Sequence, residues 1–184
     1  ELAKSVAIAP DAELPPALQR AIEGFVSGLD VAQRFVEHLP WMRKALESRA
    51  PGALRALLSL TQIHRVFARL ERMDKVVICA LNGTAMGGGF ELALACHHRV
   101  AADSDKTRLG LPEIKVGLFP GGGGTQRIAR MLQPADALQF LLKGDQLRLN
   151  RAKAMKLIDG VVPQAELVQT AKNWIKSGGT AKAP

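Results

Sequence analysis

Two glutamates beside two clusters of glycines are the residues of this chain best suited to chemistry. Glu91 follows the triplet Gly87-Gly88-Gly89, and Glu113 precedes a second cluster at 121–124. Glycine lets backbone N–H groups approach a ligand closely, and two carboxyl groups can hold one water molecule and pass one proton. The residues predict acid–base chemistry beside an oxyanion site. Simpler interpretations stay open: close strand–helix packing for the glycines, an arginine partner for Glu91 and a surface position for Glu113.

Several other kinds of site do not fit these motifs. A phosphate-binding P-loop needs Gly-Lys-Ser or Gly-Lys-Thr, whereas Gly124 is followed by Thr125-Gln126-Arg127. A dinucleotide fingerprint would place the Glu91 carboxylate against a pyrophosphate. Ser27 lacks the flanking glycines of a nucleophile elbow. The sequence thus favours neither a phosphate-binding loop nor a serine nucleophile.

The adjacent histidines His97 and His98 are predicted to be structural. They follow Cys96, and neighbouring residues on a helix point in different directions. A zinc site needs several converging ligands, and no second cluster of ligands stands elsewhere in the sequence. No metal site is predicted.

Composition favours one globular unit with a small anionic ligand. The chain has 184 residues, of which 47% are hydrophobic and 23% charged, and it has no tyrosine. A formal net charge of +8 suits a polyanionic partner, but the basic residues are spread along the chain rather than clustered. Few aromatic residues argue against a stacking platform for single-stranded nucleic acid. A phosphate-rich small molecule fits better, and a nucleic-acid partner is not expected.

The cysteines and the apolar runs predict a cytoplasmic protein. Cys79 and Cys96 both lie in apolar runs, which is typical of reduced core thiols in a reducing compartment. No apolar run approaches the roughly 20 residues of a membrane span, and the first residues lack the order of a signal peptide.

The elements around the two glutamates are predicted from hydrophobic patterning. The continuous, β-branched run 76–81 is typical of a strand buried on both faces, and it leads into the first glycine cluster. The apolar run 92–96 after Glu91 predicts a buried helix. Pro112 cannot lie inside a helix, so Glu113 is placed on a loop or strand end. A helix acid and a loop acid can face each other.

The remaining pattern alternates helices and strands, which predicts an α/β fold. The apolar period over 53–70 predicts the clearest helix. Asn150 is expected to cap a helix over 151–158 that Gly160 ends. The other predicted elements are strands at 99–102 and 107–110 and helices at 125–132 and 165–176.

Three motifs resemble the signature of the enoyl-CoA hydratase/isomerase (crotonase) family: 82–91 (NGTAMGGGFE), 110–113 (GLPE) and 117–127 (GLFPGGGGTQR). The stretches 95–99 and 103–107 are similar to the hydratase half of multifunctional fatty-acid-oxidation enzymes. The resemblance covers about residues 68–175, with a looser match at 25–30. It implies a crotonase spiral of ββα units, which we expect to be incomplete at both ends.

The resemblance also implies roles for individual residues. The backbone N–H groups of Leu29 and Gly88 would form the oxyanion hole for the thioester carbonyl. Glu91 and Glu113 would be catalytic, with Glu113 moving a proton at Cα and Glu91 orienting or deprotonating the water. The residues expected to contact substrate are Gly87, Gly89, Phe119 and Gly121.

The implied activity is syn addition of water to 2-trans-enoyl-CoA, giving 3-hydroxyacyl-CoA in fatty-acid β-oxidation. The alternatives are a Δ3–Δ2-enoyl-CoA isomerase and a non-catalytic or RNA-binding member of the fold. No cofactor is expected, because coenzyme A is part of the substrate and NAD would serve only a dehydrogenase domain that followed. The expected partners are an acyl-CoA thioester and either further copies of the chain or a larger multifunctional complex. Residues 1–176 are predicted to form the hydratase/isomerase domain and 177–184 a linker-like tail.

Overall fold

The structure, a computed structural model, describes the backbone of residues 6–8 and all atoms of residues 63–181. The chain forms two compact units. One comprises Glu1–Ala12 and Phe67–Pro184 and contains the sheets and the candidate site. The other is Glu13–Val66, of which residues 63–66 are described.

Strands and helices are interspersed along the described residues, in agreement with the α/β prediction. The strands are β1 (Val6–Ile8), β2 (Val77–Leu81), β3 (Ala85–Met86), β4 (His98–Ala102), β5 (Leu109–Gly110), β6 (Gln146–Leu147) and β7 (Gly160–Val162). The helices are α1 (residues 63–71), α2 (Gly88–Leu94), α3 (Gly124–Met131), α4 (Pro134–Lys143), α5 (Leu149–Ala154) and α6 (Leu167–Lys176). Short 3-10 helices cover Glu113–Val116 and Gln164–Glu166.

The larger sheet has the strand order β1-β2-β4-β7, with β1 antiparallel and the other pairs parallel. All residues of β2 are buried, which confirms the strand predicted at 76–81. Because side chains alternate between faces, Ile78 and Ala80 point to one face, where they pack with Leu167 and Ala171 of α6. Helix α6 thus covers that face of the sheet.

The two cysteines meet in the core beside β2. Cys79 contacts Cys96, which follows α2. The hydrogen bond with the Cys96 thiol, together with burial, raises the pKa of the Cys79 thiol. Both side chains are buried and free, as predicted. The same packing connects β2 to the helix that carries Glu91.

The smaller sheet, of order β3-β5-β6, brings the two glutamate-bearing segments together. Strand β3 is parallel to β5, with Ala85 opposite Leu109 and Met86 opposite Gly110. The N–H of Gly87 then donates to the carbonyl of Gly110 at 2.9 Å. The first glycine cluster therefore lies beside the chain that runs on to Glu113.

Three boundary predictions were wrong. Helix α5 begins at Leu149 after Arg148, so Asn150 lies inside the helix and is not its cap. Helix α5 ends at Ala154, because Lys156 takes a left-handed conformation (φ 59°) and turns Leu157 and Ile158 into the core. Gly160, predicted to stop that helix, begins β7 instead. Helix α4 was not predicted, although Pro134 near its start and the left-handed Gly144 after its end are ordinary boundary signals.

No helix among residues 63–181 combines the length and the apolar character needed to cross a membrane.

Candidate active site

The carboxylate of Glu91 is buried and is held by the second glycine cluster. Its side chain, on α2, is 3% exposed. Oε1 accepts hydrogen bonds from the N–H of Gly122 at 2.8 Å and from the N–H of Gly124 at 2.7 Å. Hydrogen bonds to an ionised group are among the strongest in proteins. The cluster therefore fixes the orientation of this carboxylate.

Glycine is required at both donor positions by the space available. A Cβ on Gly124 would lie 2.9 Å from Cγ of Glu91, and a Cβ on Gly122 would lie 2.7 Å from Cε2 of Phe67. Both distances are shorter than ordinary carbon contacts. The second cluster is thus a close approach at the start of α3, and its N–H groups bind the carboxylate of Glu91.

Glu113 is the first residue of a 3-10 helix and is half-buried. Its Oε1 lies 3.1 Å from the position that a Cβ on Gly87 would occupy, so its carboxyl group faces the first glycine cluster. No residue of the described chain donates a hydrogen bond to its buried Oε2. Burial raises the pKa of Glu113 to about 7, and repulsion by the charge of Glu91 adds to the shift.

The start of α2 presents backbone N–H groups from the first glycine cluster. Gly87 precedes the helix with φ 55° and ψ −132°, a conformation that favours glycine. Its carbonyl accepts the N–H groups of Phe90 and Glu91. Gly88 and Gly89 occupy the first helical positions, whose N–H groups have no intrahelical acceptor. These are the N–H groups that a ligand can use.

The other predicted site residues are distributed as follows. Leu29 lies outside the described residues. Phe119 and Gly121 follow Glu113 on the loop to the second glycine cluster, and both are exposed, with the Phe119 side chain 78% accessible. A Cβ on Gly121 would meet nothing within 4 Å. Their contact with substrate stays a prediction.

A buried ion pair behind the second cluster was missed by the sequence reasoning. Arg127 is 2% exposed and Glu71 6% exposed, and Nη2 of Arg127 lies 2.8 Å from Oε2 of Glu71. Arg127 also donates through Nη1 to the carbonyl of Gly122 at 2.8 Å. Arg130, which is 51% exposed, binds the other oxygen of Glu71 at 2.8 Å. The spacing of Arg127 and Arg130 on one face of α3 was the available signal.

The histidines have structural contacts, although His98 begins β4 and is not on a helix. Nδ1 of His97 accepts the N–H of Val77 at 3.0 Å, which places the ring proton on Nε2, facing the carbonyl of Glu71 at 3.2 Å. Burial lowers the pKa of His97. His98 stacks on Trp174 with ring centroids 4.1 Å apart. Among the described residues, no group of His, Cys, Asp or Glu side chains could hold a metal ion.

Comparison with known proteins identifies the family. The sequence profile of the enoyl-CoA hydratase/isomerase family matches residues 47–179. The chain belongs to this family. The family resemblance seen in the sequence and the α/β crotonase fold are confirmed, because solved structures of this family match the chain as well.

Among the curated relatives of this family member are fatty acid oxidation complex alpha subunits. That of Shewanella loihica is 52% identical over 124 residues, covering 67% of this chain and 18% of the relative. That of Shewanella amazonensis is 43% identical over 162 residues, covering 88% and 21%. The chain thus spans about a fifth of the length of these relatives.

Two solved structures match about 70% of this chain, and this chain covers about half of each of them. The enoyl-CoA hydratase of Bacillus anthracis is 34% identical with a TM-score of 0.62, over 70% of this chain and 48% of that chain. An enoyl-CoA hydratase from Polaromonas sp. JS666 is 30% identical with a TM-score of 0.61, over 73% and 51%.

Proposed function

We propose that this chain hydrates 2-trans-enoyl-CoA thioesters to 3-hydroxyacyl-CoA as a step of fatty-acid oxidation. The observation that carries the proposal is the unequal environment of two neighbouring carboxyl groups. Glu91 is fixed by N–H donors at 2.7 and 2.8 Å, whereas Glu113 lacks a donor to Oε2 among the described residues and has a pKa of about 7. Two titratable groups in different environments are what paired acid and base roles require.

The proposed reaction adds both parts of water to the same face of the double bond. Glu91 orients the water and accepts a proton as its oxygen bonds to Cβ. Glu113, in its neutral form, gives a proton to Cα. The two glutamates then return to their starting states by exchanging protons with solvent, so the net change is addition of one water.

The negative charge that develops on the thioester oxygen needs hydrogen-bond donors. We assign the N–H of Gly88 to this role together with that of Leu29, each worth about 3 kcal/mol at the transition state. Gly87, Gly89, Phe119 and Gly121 would contact the acyl-CoA around the reacting atoms. No cofactor enters this scheme, because coenzyme A is part of the substrate.

The relatives suggest a setting for this activity. Because proteins named fatty acid oxidation complex subunit alpha match the chain, we propose that it works in the cytoplasm within a larger oligomeric or multifunctional complex. A dehydrogenase in such a complex would be the part that needs NAD. Sedimentation of the native complex from a cytosolic fraction tests both statements.

The direct test is the loss of absorbance of the conjugated thioester when crotonyl-CoA is mixed with the protein. The proposal predicts turnover that yields the 3-hydroxy product. An absence of turnover with both crotonyl-CoA and a longer 2-enoyl-CoA would contradict it.

One observation favours a second activity, Δ3–Δ2-enoyl-CoA isomerisation. A single carboxyl group with a pKa of about 7, like that of Glu113, can both accept and donate a proton at neutral pH. Supplying a 3-enoyl-CoA distinguishes the two reactions. Appearance of conjugated product at a rate exceeding crotonyl-CoA hydration would make isomerisation the main function.

A further inference from the structure

The ion pair between Arg127 and Glu71 lies beside the site but takes no part in the proposed chemistry. Both side chains are almost fully buried, at 2% and 6% exposure. Removing a charged group from water is costly, and a buried pair is seldom more stabilising than apolar residues of the same volume. The pair therefore invites an explanation other than stability.

Arg127 reaches Glu91 through three consecutive peptide units of the second glycine cluster. Its Nη1 donates to the carbonyl of Gly122, at 2.8 Å. The peptide unit that contains this carbonyl lies between the two peptide units whose N–H groups, on Gly122 and Gly124, bind Oε1 of Glu91. Rotation of the middle unit would turn one or both donors away from the carboxylate.

Glycine loops do not keep such an arrangement by themselves, because glycine restricts its backbone least. Here the restraint comes from α1 and α3. Phe67 of α1 packs against Gly122, and Glu71, one helical turn later, fixes the guanidinium of Arg127. The backbone N–H of Arg127 also donates to the carbonyl of Gly123 at 3.1 Å. The side chain and the backbone of Arg127 thus both restrain the second glycine cluster.

We propose that Arg127, anchored by Glu71, is a positioning residue that holds the Gly122 and Gly124 N–H groups on the carboxylate of Glu91. The kinetic consequences of this inference rest on the proposed hydration. The hydrogen bonds of Gly122 and Gly124 to Glu91 can be tested without any activity. Arg130 provides a matched control, since it binds the same carboxylate of Glu71 yet is half-exposed and bonds otherwise to the carbonyl of Gln126.

The first test reads the hydrogen bonds directly and needs no substrate. In protein labelled with 15N-glycine, Glu91→Gln identifies the amide protons of Gly122 and Gly124 by their upfield shift. Arg127→Lys should produce the same upfield shifts, because lysine cannot reach Glu71 and Gly122 together with the geometry of a guanidinium. Arg130→Lys should leave the chemical shifts of both amide protons unchanged. Unchanged amide shifts in folded Arg127→Lys protein would overturn the proposal.

The second test separates positioning from folding. The double variant Glu71→Met and Arg127→Met removes both buried charges. The only charge that loses its partner is Arg130, which is half-exposed and can be solvated, so the variant should fold. It should also lose the downfield amide shifts. A folded double variant that keeps them would show that the loop holds its shape alone, and the proposal would fail.

The third test is kinetic. Arg127→Lys should lower kcat for crotonyl-CoA about a hundredfold, the effect of displacing a catalytic group by an ångström, with little change in KM. Arg130→Lys should match the wild type. If the wild type itself is inactive, the hydration proposal fails, and the amide shifts still decide the role of Arg127.

Discussion

At the scale of single residues, the two glutamates differ because their surroundings differ. Both were predicted from sequence, since carboxyl groups near glycines form a recognisable motif. The donors to Glu91 were not predicted, because a glycine contributes only backbone and its contacts depend on the path of the loop. The raised pKa of Glu113 was not predictable from sequence either, because the burial that raises it arises from tertiary packing.

The pKa of Glu113 predicts the same pH dependence for the two directions of the reaction. Burial raises this pKa to about 7, so the carboxyl group is neutral below that pH and ionised above it. Hydration needs the neutral form and should fall about tenfold per pH unit well above pH 7. Dehydration of the 3-hydroxyacyl product needs Glu113 ionised and the proton on Glu91. It therefore also uses one proton on the pair and should fall through the same range.

The test is to measure kcat against pH, with crotonyl-CoA for hydration and 3-hydroxybutyryl-CoA for dehydration. Rates that stay constant through pH 7 in both directions would show that Glu113 does not exchange the proton at Cα.

At the scale of elements, sequence patterning predicted the long or strongly patterned pieces and missed those set by tertiary contacts. The continuous apolar run 76–81 predicted β2. The described residues of the helix predicted over 53–70, from residue 63 on, are helical, in agreement with the pattern. Strand β3 has two residues, too few for any period, and β5 is only the last two residues of the strand predicted at 107–110. Yet their pairing is what places Gly87 beside Glu113. The path through Lys156 was unpredictable for a similar reason, since a lysine seldom adopts positive φ.

Gly124→Ala tests the close approach of α3 to α2. The new Cβ would lie 2.9 Å from both Cγ and Oε1 of Glu91, so the carboxylate or the helix must move. We expect kcat for crotonyl-CoA to fall about a hundredfold, because a displaced catalytic group is costly. The amide protons of residues 122 and 124 should also move upfield in NMR spectra.

Gly83→Ala is the matched control, since a Cβ there would meet nothing within 4 Å. Equal kcat in the two alanine variants would contradict the packing argument.

At the scale of the whole molecule, the packing of α6 on the larger sheet is separate from the site. Leu167 is 3% exposed and packs with Ile78, Ala80 and Val100 on the face of the sheet that α6 covers. Glu91 and Glu113 belong to the elements around the smaller sheet and α3. Fold class and family were predictable at this scale from the motifs alone, whereas the assignment of residues 1–176 to one domain stays a prediction.

Leu167→Ala should therefore destabilise the protein without altering its chemistry. Emptying this core position is expected to cost about 3 kcal/mol of unfolding free energy, measured by urea denaturation. The kcat below the melting transition and the pH at which Glu113 titrates should stay unchanged. A shift of that pH would show that the sheet core and the site are coupled.

The central claim is that Glu113 exchanges a proton with substrate, and Glu113→Gln tests it most directly. The amide keeps the shape of the side chain but cannot donate and accept the proton, so kcat for crotonyl-CoA should fall about a thousandfold. Glu166→Gln makes the same change at an exposed position and should leave the rate unaltered. Hydration at the wild-type rate by folded Glu113→Gln protein would contradict the account.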